Sequence, residues 1–160
     1  MQRKYVLSVL VKNNSGVLSR VSGLFSRRGY NINSLSVGET QDNSISRMTI
    51  ELNGDDYILE QIKNQPGKLI EVIEIIELKQ GSSVYRELIL IKVTATEVTR
   101  PQIIEISNIF RAKVVDIAAS SIVLEVTGAS DKIEAFTKML DTYGILEIAR
   151  TGLTGLTRGL

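Results

Sequence analysis

The sequence opens on a strand pattern. In residues 4–12, Val6, Leu7, Val9, Leu10 and Val11 are apolar and mostly β-branched, which suits a pleated, buried strand. Asn13, Asn14, Ser15 and Gly16 interrupt it. Val17, Leu18, Val21, Leu24 and Phe25 then recur at the spacing of one helix face. Ser15 is the expected N-cap. Arg27 and Arg28 put cations at the helix's negative end, and Gly29 lets the chain turn away. Residues 31–39 alternate through Ile32, Leu35 and Val37, residues 40–44 are a polar turn, and residues 45–52 form another strand pattern. Asn53, Gly54 and Asp55 start a helix carrying Ile58, Leu59 and Ile62, which Pro66 and Gly67 end. Residues 68–78, with Leu69, Val72, Ile73, Ile75 and Ile76, predict a long strand.

The β-α-β-β-α-β order then repeats. Residues 88–94 read as a strand. Thr99 and Pro101 open a helix, proline standing where its missing N–H does no harm. Ile103, Ile106 and Phe110 supply its buried face. Strands follow at 113–119 and 122–127. Ser130 is the expected cap of a helix bearing Ile133, Phe136 and Leu140, and Tyr143-Gly144 turns into a strand at 145–150. The predicted fold is α+β, two ferredoxin-like βαββαβ sandwiches in tandem. The expected division is residues 1–78, a polar linker at 79–85, and residues 86–160 as a second domain with a glycine-containing tail. The first and last strands of the first domain are apolar on both sides, which implies cover on both faces. A second copy or a partner is the expected cover.

Composition narrows the chemistry. The chain has 160 residues, 43% of them hydrophobic and 23% charged, a globular balance. Nineteen basic and 18 acidic side chains leave a net charge of +1, with no basic stripe for nucleic acid. Cysteine and histidine are both absent. That removes disulfides, thiolate and imidazole metal sites, cysteine nucleophiles and Ser-His-Asp triads. No apolar run approaches the ~20 residues that cross a bilayer, and no signal-peptide pattern opens the chain. A non-catalytic protein of a reducing compartment is expected, with no nucleic acid and no membrane among its partners.

The loop of Asn13, Asn14, Ser15 and Gly16 is the strongest candidate site. It precedes a helix, where backbone N–H groups attract carboxylates. Asparagine amides both donate and accept, and glycine permits close approach to the backbone. Such a loop could grip an amino acid's carboxylate and ammonium groups, although a capped turn uses the same residues. Asn31 is unusual at a strand start. Arg27-Arg28 reads as a solvated pair, Asp55-Asp56 as helix-start residues, and Gly152, Gly155 and Gly159 lack phosphate-loop spacing. RNA-recognition modules share the topology but need aromatics on central strands, whereas Tyr5 and Tyr30 lie near strand ends. Small acyl-phosphate hydrolases use an arginine in the first loop, and residues 12–16 contain none.

Residues 7–21, followed by Gly23-Leu24-Phe25-Ser26-Arg27-Arg28-Gly29-Tyr30-Asn31-Ile32, resemble an ACT domain. More closely they resemble the small, regulatory subunits of acetolactate synthase. Ser46-Arg47-Met48-Thr49-Ile50, Ile109-Phe110-Arg111, Val115-Asp116 and Leu156-Thr157-Arg158-Gly159 extend the likeness over nearly the whole chain. The resemblance implies a subunit that binds and activates a catalytic subunit and confers feedback inhibition, typically by valine. It places thiamine diphosphate, magnesium and FAD on that partner and no cofactor on this chain. It further implies a homodimer whose effector site joins Asn13, Gly16, Val17 and Leu18 of one copy to Asn31 and Ile32 of the other. The implied compartment is the cytoplasm, or the plastid stroma for a plastid-encoded chain. A free-standing ACT-type amino-acid sensor acting on a different enzyme is the alternative.

Overall fold

The computed structural model describes residues 3–64 and 71–160. The chain divides into two compact units, one of residues up to Val84 together with Leu153–Leu160, the other Tyr85–Gly152. The first unit runs β1 (Arg3–Lys12), α1 (Val17–Arg27), β2 (Ile32–Glu39), β3 (Ile45–Gly54), α2 (Asp56–Asn64) and β4 (Val72–Glu77). Its antiparallel sheet has the order β2-β3-β1-β4. The second unit repeats the plan with β5 (Ser83–Thr94, whose first residues belong to the first unit), α3 (Arg100–Ile109), β6 (Lys113–Ile117), β7 (Ser121–Gly128), α4 (Ser130–Asp141) and β8 (Ile145–Arg150), in the order β6-β7-β5-β8. A last strand, β9 (Thr154–Thr157), pairs β5. Both units are ferredoxin-like, as the hydrophobic pattern predicts.

Each core lies between a sheet and its helices. In the first unit, Tyr5, Leu7, Val9 and Val11 of β1 and Met48, Ile50 and Leu52 of β3 point to one face, where Val17, Val21 and Phe25 of α1 meet them. In the second, Ile89, Ile91, Val93, Ile122, Leu124 and Val126 receive Ile103, Ile133, Phe136 and Leu140. Burying a side chain of this size contributes about 1.5–3 kcal/mol. The two-residue period of the strands and the helical period of their partners were both visible along the chain.

Several expectations change. The N-cap of α1 is Gly16, not Ser15, because the chain enters the helix through a left-handed turn (φ +81°) that glycine adopts freely. Ser130 is the first residue of α4 rather than its cap; Ala129 holds that place in an extended conformation. The segment 79–85 is not a free linker, since Ser83 already begins β5. The tail does not complete the second domain: Leu153–Leu160 belongs to the first unit. Its buried Leu153 is bonded to Ser34 and Ser36 of β2, so the chain itself supplies part of the cover expected from a second copy or a partner. Leu18, expected on the buried face, is 46% exposed. The predicted helix end at Pro66 and Gly67, and the strand start at 68–70 with Leu69, lie outside the described residues, as do the side chains of Ile58 and Leu59.

Candidate functional site

The 13–16 loop leaves β1 at the end of the sheet where Lys12 pairs Ile45. Its first residue is fixed by the β2–β3 turn. The Asn13 N–H donates to Ser44 O (2.8 Å), and Asn13 Nδ2 donates to Asn43 O (2.9 Å) and Glu39 Oε1 (3.3 Å). The turn is braced in its own right. Asp42 Oδ1 accepts from the Ser44 hydroxyl (2.6 Å) and N–H (3.0 Å), and these bonds hold the Asp42 carboxyl below its usual range. Asn13 is thus the hinge between loop and hairpin, with its donor already engaged.

The rest of the loop is more open. Val17 N–H makes a long bond to Asn14 O (3.4 Å), and its side chain is buried in the core. Val17 therefore offers little to a ligand beyond shaping the turn. Gly16 N–H meets no acceptor among the described residues. Leu18 faces outward beside it. An arginine that sequence reasoning missed stands over this loop. Arg20 Nη2 reaches Ser15 O (3.4 Å) and pairs with Glu71 Oε1 (2.7 Å), while Nη1 is 2.9 Å from where a Cβ on Gly16 would stand. The signal was the four-residue spacing from Gly16, because helical side chains lean toward the N-terminus. An open N–H at a helix start favours a carboxylate, and Arg20, held by Glu71, frames that position.

Asn31 and Ile32 are at the other end of the sheet. Ile32 pairs Leu52, which pairs Tyr5. From Tyr5 to Lys12 is seven steps along β1, roughly 23 Å at the rise of a strand. The Asn31 side chain is exposed, with no partner among the described residues, and Ile32 packs partly against the core. One chain therefore brings Asn13, Gly16, Val17 and Leu18 together and keeps Asn31 and Ile32 apart from them. Among the described residues no group of three His, Cys, Asp or Glu side chains could hold a metal ion, and no helix is long and apolar enough to cross a membrane.

Residues 7–74 match the family model of the AHAS small subunit-like ACT domain, and residues 86–159 match that of the small subunit of acetolactate synthase. The chain is 54% identical over 155 residues to the acetolactate synthase small subunit of Mycolicibacterium smegmatis, covering 97% of this chain and 91% of that one. The chain belongs to the acetolactate synthase small-subunit family. The isozyme 3 small subunit of Salmonella typhimurium is 46% identical over 155 residues, covering 96% of this chain and 95% of that relative. The crystal structure of the acetolactate synthase small subunit from Thermotoga maritima superposes with a TM-score of 0.90 at 39% identity, covering 99% of both chains. The small-subunit family accounts for both units, which shows that the second repeat and the returning tail are parts of the same family protein.

Proposed function

We propose that this chain binds the catalytic subunit of acetolactate synthase, activates it, and inhibits it when valine fills a pocket shared by two copies. The catalytic partner would condense two pyruvates to acetolactate with its own thiamine diphosphate, magnesium and FAD, in the cytoplasm. The observation that carries the shared pocket is the separation of its two halves within one chain. β2 is an edge strand. Its Glu39 end is tied to Asn13, and its Ile32 end follows Asn31. A two-fold axis that sets β2 antiparallel to β2 of a second copy brings the partner's Asn31 and Ile32 alongside the 13–16 loop. Two such pockets form per dimer, one at each end of the paired strands.

The chemistry suits a branched-chain amino acid. Gly16 N–H and Arg20 face its carboxylate; the helix dipole contributes about 0.3–2 kcal/mol. Asn31 can orient the polar groups, and burying an isopropyl group beside Ile32 adds about 1.5–3 kcal/mol. Binding and pairing are then thermodynamically linked, so valine tightens the dimer.

Subunit mixing tests this. Gly16→Asp damages the loop half of the pocket and Asn31→Ala the strand half. Neither homodimer should bind valine well. Their heterodimer has one doubly damaged pocket and one intact pocket, so the mixture should recover partial binding by calorimetry. No recovery, after mass spectrometry shows that subunits have exchanged, refutes a pocket built from two chains. Adding purified catalytic subunit tests the partner: no complex and no change in acetolactate formation would point to a sensor of a different enzyme.

A further inference from the structure

The end of the chain is seated on the strand that carries half of the proposed pocket. Ser36 Oγ donates to Leu153 O (2.7 Å), and Leu153 N–H donates to Ser34 Oγ (3.5 Å). Two side chains of β2 therefore hold both polar groups of the Leu153 backbone. Gly152, at φ +81°, turns the chain into this contact, and Leu153 is only 2% exposed. β9 lies against β3, and beyond it Arg158 N–H donates to Ser82 O (2.8 Å). The segment is thus anchored before and after the strand it forms.

β2 is the part of the sheet with most need of an anchor. It pairs only β3. Its register also slips between Ile32, which faces Leu52, and Ser34, which faces Glu51. Asn33 is the extra residue of a bulge. The slip explains why Ile32 and Leu35, an odd number of residues apart, both pack against the core. Bulges bend a strand and re-aim the side chains beside them. This one falls directly after Asn31 and Ile32 and directly before Ser34, the first clamped residue.

We propose that Ser34 and Ser36 are positioning residues of the effector site. With Leu153 they fix the bulged strand, so that Asn31 and Ile32 are presented in one orientation to the second copy. The proposal rests on the shared-pocket reading for its ligand and goes beyond it in making the chain's last residues part of the regulatory unit. The two hydroxyls touch no effector. They act through the backbone of β2, and their loss leaves the buried Leu153 carbonyl and N–H without partners.

The test uses the full-length chain with Ser36→Ala, the double variant Ser34→Ala/Ser36→Ala, and Ser36→Thr, which keeps the hydroxyl. Amide hydrogen exchange at residues 32–37 is measured without ligand, and valine is titrated by calorimetry. Ser36→Ala should speed exchange at 32–37 and weaken valine binding, each by roughly three- to ten-fold, the scale of one hydrogen bond. The double variant should lose more, and Ser36→Thr should recover both. Exchange in β7 should stay unchanged. Unaltered exchange at 32–37 in the double variant overturns the clamp. Faster exchange with valine affinity within about two-fold of wild type leaves a structural contact only and overturns the positioning role. A wild-type chain that binds no branched-chain amino acid removes the shared-pocket reading and the effector part of this proposal together. The exchange result separates that failure from a failure of the clamp.

Discussion

The two repeats solve the same turn in opposite ways. Each has a short loop from its first strand into its first helix. In the second unit, Thr96 N–H donates to Thr99 Oγ1 (2.8 Å), Thr99 N–H to Thr96 Oγ1 (3.1 Å), and Arg100 N–H to Thr96 O (2.9 Å). That loop ties its two threonines to each other, while the Glu97 and Val98 N–H groups meet no acceptor among the described residues. In the first unit the N-cap is a glycine with no side chain to offer, and its N–H meets no acceptor among the described residues. Four residues beyond each N-cap the contrast continues: Arg20 stands over the first loop, while Ile103 is wholly buried in the second core. The second loop braces its helix start with two threonine hydroxyls, and the first leaves that place to a glycine in a left-handed turn. The difference that favours the first repeat as the candidate site is therefore the glycine N-cap with Arg20 above it.

The largest expected effect comes from filling the open loop. Gly16→Asp puts a carboxylate where the effector's carboxylate would dock and gives Arg20 a competing partner. Like charges a few ångströms apart in a poorly solvated pocket cost several kcal/mol, so valine inhibition should fall by about 100-fold or more. Gly16→Asn tests the cause. Asparagine tolerates the left-handed turn and carries no charge, so it should retain more sensitivity than the aspartate variant. Stimulation of the catalytic partner should survive in both. Inhibition assays that show normal valine sensitivity with Gly16→Asp would remove this loop from the site.

The periodicity that announced both sandwiches is local, and so it could be read from sequence. Val17, Val21 and Phe25 recur as a helix requires, and their burial follows. The candidate site was only half legible for the same reason. Gly16 and Asn31 drew notice by residue type and by resemblance. Nothing local says that Asn13's amide is engaged by a turn about 30 residues later, or that Leu153 returns to Ser34 and Ser36. Those contacts depend on topology, which has no period along the chain. The bulge at Asn33 was hidden too, because a register slip becomes visible only when β3 is laid beside β2.

A smaller effect tests how far the two repeats are alike. Both first helices end with the same turn. Gly29 N–H donates to Ser26 O and Tyr30 N–H to Phe25 O, while Arg111 N–H donates to Asn108 O and Ala112 N–H to Ser107 O. Gly29 has φ +77°, natural for glycine; Arg111 has φ +58°, in the left-handed region that a side chain disfavours. Arg111→Gly should raise stability by up to about 1 kcal/mol, and Gly29→Ala should lower it by about as much. A Cβ on Gly29 meets nothing within 4 Å, so the penalty is conformational rather than steric. Equilibrium urea unfolding reads both. Loss of partner binding in Arg111→Gly with stability gained would mean that the strained arginine serves recognition instead of the fold.

The smallest effect is a difference in acid sensitivity. In the first unit the Tyr5 hydroxyl and the Arg3 guanidinium both donate to Asp56 at the start of α2, and Arg3 also pairs with Glu77 (3.2 Å). The bond from Tyr5, then that from Arg3, hold the Asp56 carboxyl below its ordinary range. At the start of α4 the acid is Asp131, which accepts from the N–H of Lys132 (2.9 Å). A carboxyl whose folded pKa is depressed favours the fold above its ordinary pKa of about 3.9, and that contribution fades as pH falls through the lowered folded value. Below about pH 4, protonating Asp56 therefore weakens the tie between β1 and α2. Arg3 keeps Glu77 as a partner, and Asp56 is exposed to solvent, so the shift is small. Hydrogen exchange followed from pH 6 to pH 3 should show α2 and the Tyr5 end of β1 losing protection before α4 does. Asp56→Asn should remove that lead by making the first unit equally loose at both ends of the range. Simultaneous loss in both units, unchanged by Asp56→Asn, would mean that the Tyr5–Asp56–Arg3 cluster does not distinguish one repeat from the other.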